Sequence, residues 1–154
     1  MQFERIDIDK HRDEVVEFRK DSFRVSFGDT SDFGNEDDYL QWLEEKINDF
    51  PEGFVLVVDN EEYIGQLELT IREYQGKKIG YVNLYYLRPE KRGRGIGIEL
   101  HNYAKQFFKT HKVSEYHLRV SPKNTSAIKF YRKIGMEEVG PEVEGKVIRM
   151  KANL

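Results

Sequence analysis

Apolar and polar positions along the chain change period several times, and each change marks a structural element. FERIDI at 3–8 alternates and predicts a short strand. Residues 11–27 predict a helix with Val15, Phe18 and Phe23 as core contacts. The run 28–38 is rich in Gly, Ser, Asp and Asn and predicts a loop, and Tyr39, Leu40, Leu43 and Ile47 then fall at helical spacing over 37–50. Pro51 and Gly53 end that helix. FVLVVD at 54–59 predicts a buried strand. In YIGQLELTIRE at 63–73, Leu67, Leu69 and Ile71 alternate with Gln66, Glu68 and Thr70, a strand with two unlike faces. IGYVNLYYL at 79–87 predicts a third successive strand, ended by Pro89.

A helix is then predicted from a glycine-rich turn at 93–97 to about 110, with Leu100, Tyr103, Ala104 and Phe107 as its stripe. EYHLRV at 115–120 predicts a strand. Residues 124–134 predict a helix with Ala127, Ile128 and Tyr131 on one side, and two strands near 136–139 and 145–151 close the chain. The order is β-α-α-β-β-β-α-β-α-β-β. Short turns make the middle strands antiparallel, while the β-α-β passage at 79–120 requires a parallel pair. A mixed sheet with helices on both faces packs such an order.

Composition narrows the function. The chain has 154 residues and no cysteine, which excludes disulfides and thiolate chemistry. His11, His101, His111 and His117 show no ligand-like spacing, so no metal site is expected. No stretch approaches the roughly 18 apolar residues of a membrane span, and the N-terminus lacks a signal peptide's apolar core, so a cytoplasmic location is expected. The net charge of −3 conceals an asymmetry: residues 1–60 carry 17 acids and 7 bases, whereas residues 77–133 carry 14 bases and 3 acids. A basic central segment suits an anionic ligand; it also suits an ordinary solvated face.

The segment Leu87-Arg88-Pro89-Glu90-Lys91-Arg92-Gly93-Arg94-Gly95-Ile96-Gly97 stands between a strand and a helix. Glycines at alternate positions let backbone approach a ligand, the first helical N–H groups lack intrahelical partners, and Arg92 and Arg94 add positive charge. Together these suit a pyrophosphate. The P-loop pattern is excluded by Ile98 and Glu99 after Gly97, and the Rossmann pattern by Ile98 and Leu100. A tight strand-to-helix turn is the purely structural alternative. Further on, Asn124 and Tyr131 lie on one helix face. Asn124 either caps that helix or reaches a ligand amide, and Tyr131 either packs in the core or presents its phenol beside Asn124.

The Arg-x-x-Gly-x-Gly at Arg92, Gly95 and Gly97 closely resembles the acetyl-CoA pyrophosphate loop of the GNAT acetyltransferases. The run Asn124 to Met136 is similar to that family's N-x-x-A-x-x-x-Y-x-x-x-G-F pattern, with Met136 in place of Phe. The resemblance implies an α/β (α+β) fold: a mixed, mostly antiparallel sheet of about seven strands flanked by about four helices, in one domain over 1–154. It implies an acetyl-CoA-dependent N-acetyltransferase acting on a primary amine of a small molecule or peptide, without nucleic acid or membrane, as monomer or homodimer. The cofactor would lie between the fourth and fifth strands, against Tyr85, Tyr86 and Leu87, with its pyrophosphate on Arg92, Gly93, Arg94, Gly95, Ile96 and Gly97 and its pantetheine arm on Asn124. Tyr131 would be the general acid, and a backbone N–H near Tyr86 or Leu87 would meet the oxyanion.

The base is less evident. The fourth strand has no acid, and Arg119 stands where some relatives carry a fifth-strand Glu. Glu68, on the polar face of the third strand, would act directly or through water, or is simply an exposed strand carboxylate; a water wire is the other route. The acids over 28–49 would favour a cationic acceptor if they lined its entrance, and otherwise form a solvated helix face. Two other classes fit part of the pattern: a non-catalytic acyl-CoA-binding domain of the same fold, and an RNA-binding domain using the basic segment.

Overall fold

The computed structural model describes residues 1–154. In chain order the elements are β1 (Gln2–Arg5), α1 (Ile8–Phe27), α2 (Glu36–Asp49), β2 (Phe54–Asp59), β3 (Glu62–Tyr74), β4 (Lys77–Leu87), α3 (Ile96–Thr110), β5 (Glu115–Val120), α4 (Thr125–Lys133), β6 (Glu137–Glu142) and β7 (Val147–Asn153). The predicted order of strands and helices is present, as is the mixed seven-stranded sheet, in the order β1-β2-β3-β4-β5-β7-β6. Only β4 and β5 run parallel. No helix is long and apolar enough to cross a membrane.

The first strand is shorter than predicted, for a local reason. Asp7 leaves the strand to cap α1, its carboxylate accepting from the N–H groups of Asp9 and Lys10, while its own N–H donates to His11 Nδ1 at 3.0 Å. Ile8 therefore opens the helix instead of closing the strand.

The sheet carries a core on each face. Against α3 and α4 lie Val55, Val57, Leu67, Leu69, Val82 and Leu118, packed on Leu100, Ala104, Phe107 and Phe108. Against α1 and α2 lie Phe54, Leu56, Leu84 and Tyr86, packed on Val15, Phe18, Leu40 and Leu43. Phe23 is only half-buried and joins an aromatic group with Phe27 and Phe33. The alternation along β3 holds, but its polar face is not turned to solvent. The two N-terminal helices cover that face, and Gln66, Glu68 and Thr70 are 0%, 0% and 2% exposed.

Two irregularities in β4 open the sheet. Its register to β3 shifts between Glu68 opposite Leu84 and Leu69 opposite Val82, which leaves Asn83 as an extra residue. A bulge of this kind bends the strand and raises its twist. The parallel ladder to β5 covers only Gly80–Tyr116, Tyr81–His117 and Val82–Leu118, although β4 continues to Leu87 and β5 to Val120. Beyond Val82 the two strands part, leaving a gap between them.

Candidate functional site

The glycine turn lies at the mouth of this gap. Gly93 and Gly95 have φ of 74° and 81°, a region that side-chain-bearing residues rarely adopt, and Gly95 is the N-terminal cap of α3. A Cβ on Gly97 would stand 3.1 Å from the Phe130 ring, so this glycine lets α3 close onto α4. None of the backbone N–H groups of Gly93, Arg94, Gly95, Ile96 and Gly97 has an acceptor within the chain. Consecutive unpaired donors at the positive end of a helix dipole form an anion cradle.

The two arginines of the turn differ. Arg94 is exposed and makes no ion pair. Arg92 is exposed too but is partnered: its Nε donates to the Leu87 carbonyl at 2.9 Å, and its guanidinium stands 3.7 Å from Asp21 and over the Tyr86 ring. Arg92 thereby braces the turn against α1, with its side chain still 38% exposed beside the cradle.

Along the gap the backbone of β4 alternates. The Arg88 N–H donates to Ile64 on β3, so the main chain of Tyr86 also faces β3, while that of Tyr85 and Leu87 faces the gap. The Tyr86 side chain is likewise committed elsewhere, its hydroxyl donating to Asp21 at 2.5 Å on the α1 side. Tyr86 is thereby corrected from a gap-lining residue to a support, and the available oxyanion donor is that of Tyr85 or Leu87. The Tyr85 ring lies on the other face, and its buried hydroxyl has no partner.

Tyr131 meets Tyr85 with ring centroids 6.1 Å apart and packs on Phe130. Its hydroxyl has no partner within the chain, and burial raises its pKa to about 12. It therefore keeps its proton through neutral pH. Asn124 caps α4 by accepting from the Ala127 N–H at 3.3 Å, which leaves its amide nitrogen free. Both alternatives read from the sequence are thus available to Asn124 at once.

Glu68 is elsewhere. It shares the α1–α2 face with Leu84, opposite the face of Leu67 and Tyr85. It is fully buried, which overturns its reading as an exposed strand carboxylate. One oxygen accepts from Arg19 at 2.7 Å; the other accepts from Tyr39 at 2.5 Å and from Gln66 at 2.9 Å. Burial and the neighbouring Glu68 charge hold the Tyr39 phenol well above its usual pKa, so Tyr39 remains a donor. Arg19 also donates to the Asn83 carbonyl at 3.3 Å and stands over Phe23, Tyr39 and Trp42. The sequence reading passed over Asn83 and Arg19, and placed Tyr39 on the stripe of the second helix without linking it to Glu68. Its one available signal was a lone amide inside the apolar and aromatic run IGYVNLYYL.

A model of the acetyltransferase (GNAT) family matches residues 12–136. An uncharacterized N-acetyltransferase of Methanocaldococcus jannaschii is 29% identical over 103 residues, which are 65% of this chain and 44% of that protein. The chain thus spans less than half the length of this curated relative. The ribosomal-protein-alanine N-acetyltransferase of Brucella melitensis has a similar fold, with a TM-score of 0.76 at 18% identity over 100% of both chains. The PaiA N-acetyltransferase of Thermoplasma acidophilum, solved with coenzyme A, gives 0.74 at 20% identity over 99% of this chain and 98% of that one.

The buried network yields a stability test. Glu68→Ala leaves Arg19 and Tyr39 without their acceptor and is expected to cost about 3 kcal/mol in chemical denaturation. A loss below about 1 kcal/mol would show that Arg19 does not depend on the carboxylate.

Proposed function

The chain belongs to the acetyltransferase (GNAT) family, and from that premise we propose that it transfers the acetyl group of acetyl-CoA directly to the primary amine of a small molecule or peptide. The observation that carries this reading is the gap between β4 and β5. It is edged by the main chain of Tyr85 and by the N–H of Leu87, whose carbonyl is taken by Arg92, and ends at the unpaired N–H groups of Gly93 to Gly97. An extended amide-bearing arm ending in a pyrophosphate has the chemistry to fill both parts.

The N–H groups of 93–97, helped by Arg94, hold the pyrophosphate. Tyr85 and Leu87 pair with the pantetheine arm, and the free amide nitrogen of Asn124 donates to one of its carbonyls. When bound, acetyl-CoA supplies a thioester activated for acyl transfer. A neutral amine attacks its carbonyl carbon, the C–N bond forms, the C–S bond breaks, and the amine's surplus proton leaves to water. A gap-facing β4 N–H stabilises the oxyanion. Tyr131 gives its proton to the departing sulfur and regains one from water, and its raised pKa keeps the phenol protonated between turnovers. Glu68 does not act as the direct base here, because its oxygens already accept from Arg19, Tyr39 and Gln66. A water route remains for the amine's proton.

Calorimetric titration is expected to show saturable binding of acetyl-CoA by the wild type and loss of binding in Gly95→Glu, which places a carboxylate among the unpaired N–H groups. Equal binding by both proteins would contradict the assignment. Tyr131→Phe is expected to lower kcat by about 10²–10⁴-fold, with the KM for acetyl-CoA little changed. An unchanged kcat would remove Tyr131 from the chemistry, and binding without turnover of any amine would favour a non-catalytic domain.

A further inference from the structure

The core beneath α1 and α2 takes sheet residues from β2 and β4 and none from β5, β6 or β7. On the uncovered part of that face three arginines converge. Arg119 and Arg149 are register partners on β5 and β7, an arrangement of like charges that is unfavourable by itself. One carboxylate serves both: Glu142 accepts from Arg119 Nε at 2.9 Å and from Arg149 Nε at 2.7 Å. Arg72 has no carboxylate at all. It donates to Asn83 Oδ1 at 2.5 Å and lies 3.9 Å over the Tyr81 ring, and Arg149 stands 5.8 Å over the same ring.

Arg149 is fixed from behind. It is buried, lies 4.2 Å over Tyr74, and donates from NH1 to His117 Nδ1 at 3.0 Å. A nitrogen that accepts from a guanidinium carries no proton, so His117 is the neutral tautomer, with its Nε2–H directed to Glu115 at 2.6 Å. Burial, the largest influence, also lowers the His117 pKa. Three guanidinium groups therefore face one carboxylate, and stacking holds two of them with their forks oriented. Positive charge gathered, oriented and left unneutralised is suited to a planar or tetrahedral anion.

Its place is informative. Asn83, the partner of Arg72, is the bulge residue where β4 leaves β5, so the cluster stands at the closed end of the gap, away from the glycine turn. An arm anchored at 93–97 and running along Leu87 and Tyr85 would bring its reactive end here. The acids of α2 and its preceding loop do not supply the missing countercharge. Glu36 pairs with Lys20, Asp37 with Arg12 and Asp32 with Lys146, all on exposed surface.

We infer that the acceptor is a small amine carrying its own carboxylate or phosphate, and that Arg72 and Arg119, backed by Arg149, bind this anion and hold the amine at the closed end of the gap. The inference rests on the acetyl-transfer reading and reverses the cationic preference that the acidic segment suggested. The two anions share one recognition chemistry, and matched amines distinguish them.

Protein loaded with CoA is titrated calorimetrically with L-lysine against 1,5-diaminopentane, and with O-phosphoethanolamine against ethanolamine. In at least one pair the anionic member is expected to bind about ten-fold or more tightly than its neutral or cationic counterpart. In Arg72→Gln and Arg119→Gln that preference falls to within about two-fold, and in Arg119→Gln, which leaves the contacts of the β4 bulge intact, CoA affinity is unchanged. Preference in the first pair alone identifies a carboxylate, and in the second alone a phosphate. Equal binding within both pairs, no binding by any of the four amines, or a preference that survives both substitutions would overturn the inference. Failure of the protein to take up CoA at the outset would instead overturn the acetyl-transfer reading.

Discussion

One extra residue in β4 governs how the sheet is used. Asn83 has no counterpart on β3, and the parallel ladder to β5 stops at its neighbour Val82. An inserted residue raises local twist, and a twisted strand cannot stay in register with a parallel neighbour. The bulge is held from several sides. The Asn83 amide donates to Thr70 Oγ1 at 3.0 Å, its side-chain oxygen accepts from Arg72, and its carbonyl accepts from Arg19. Glu68 in turn fixes Arg19. A buried charged layer of this sort is costly to desolvate and contributes more to defining one arrangement than to net stability. In this protein the arrangement it defines is the opening of the sheet.

The gap joins two environments of opposite design. At its mouth, positive potential comes from unpaired N–H groups and a helix terminus, with little reliance on side chains; Arg92 is occupied with Leu87 and Asp21. At its closed end, the charge is carried by arginines stacked on tyrosines. Between them Tyr131 lies among Tyr85 and Phe130, where burial keeps the phenol protonated. The basic segment 77–133 supplies the mouth, but two of the arginines at the closed end, Arg72 and Arg149, come from outside it. Charge counted along the chain therefore anticipated one of these two environments.

Features that depend on neighbouring residues were legible in the sequence. Periodicity located every strand and helix, and glycines at alternate positions marked backbone that must adopt positive φ, as Gly93 and Gly95 do. What failed to show depended on distant partners. Alternation along β3 separated two faces but could not say that helices would cover the polar one, so Glu68 read as exposed. The bracing contact of Arg92 depends on Asp21 of α1, far away in sequence. The shortening of β1 depends on Asp7 acting as a cap, which a strand pattern running through it concealed. Asn83 looked like a single irregular letter in an apolar run, and its weight emerges only when the two strands are paired.

The central claim is that acetyl-CoA occupies the space between β4 and β5. Backbone amide chemical shifts followed by NMR as acetyl-CoA is added test it most directly, since each N–H reports its own contact. The expected result is that the largest changes fall at Gly93 to Gly97 and at Tyr85 and Leu87, while Tyr86, bonded to β3, moves little. Changes confined to the α1–α2 segment, or none along β4 and the glycine turn, would contradict the claim.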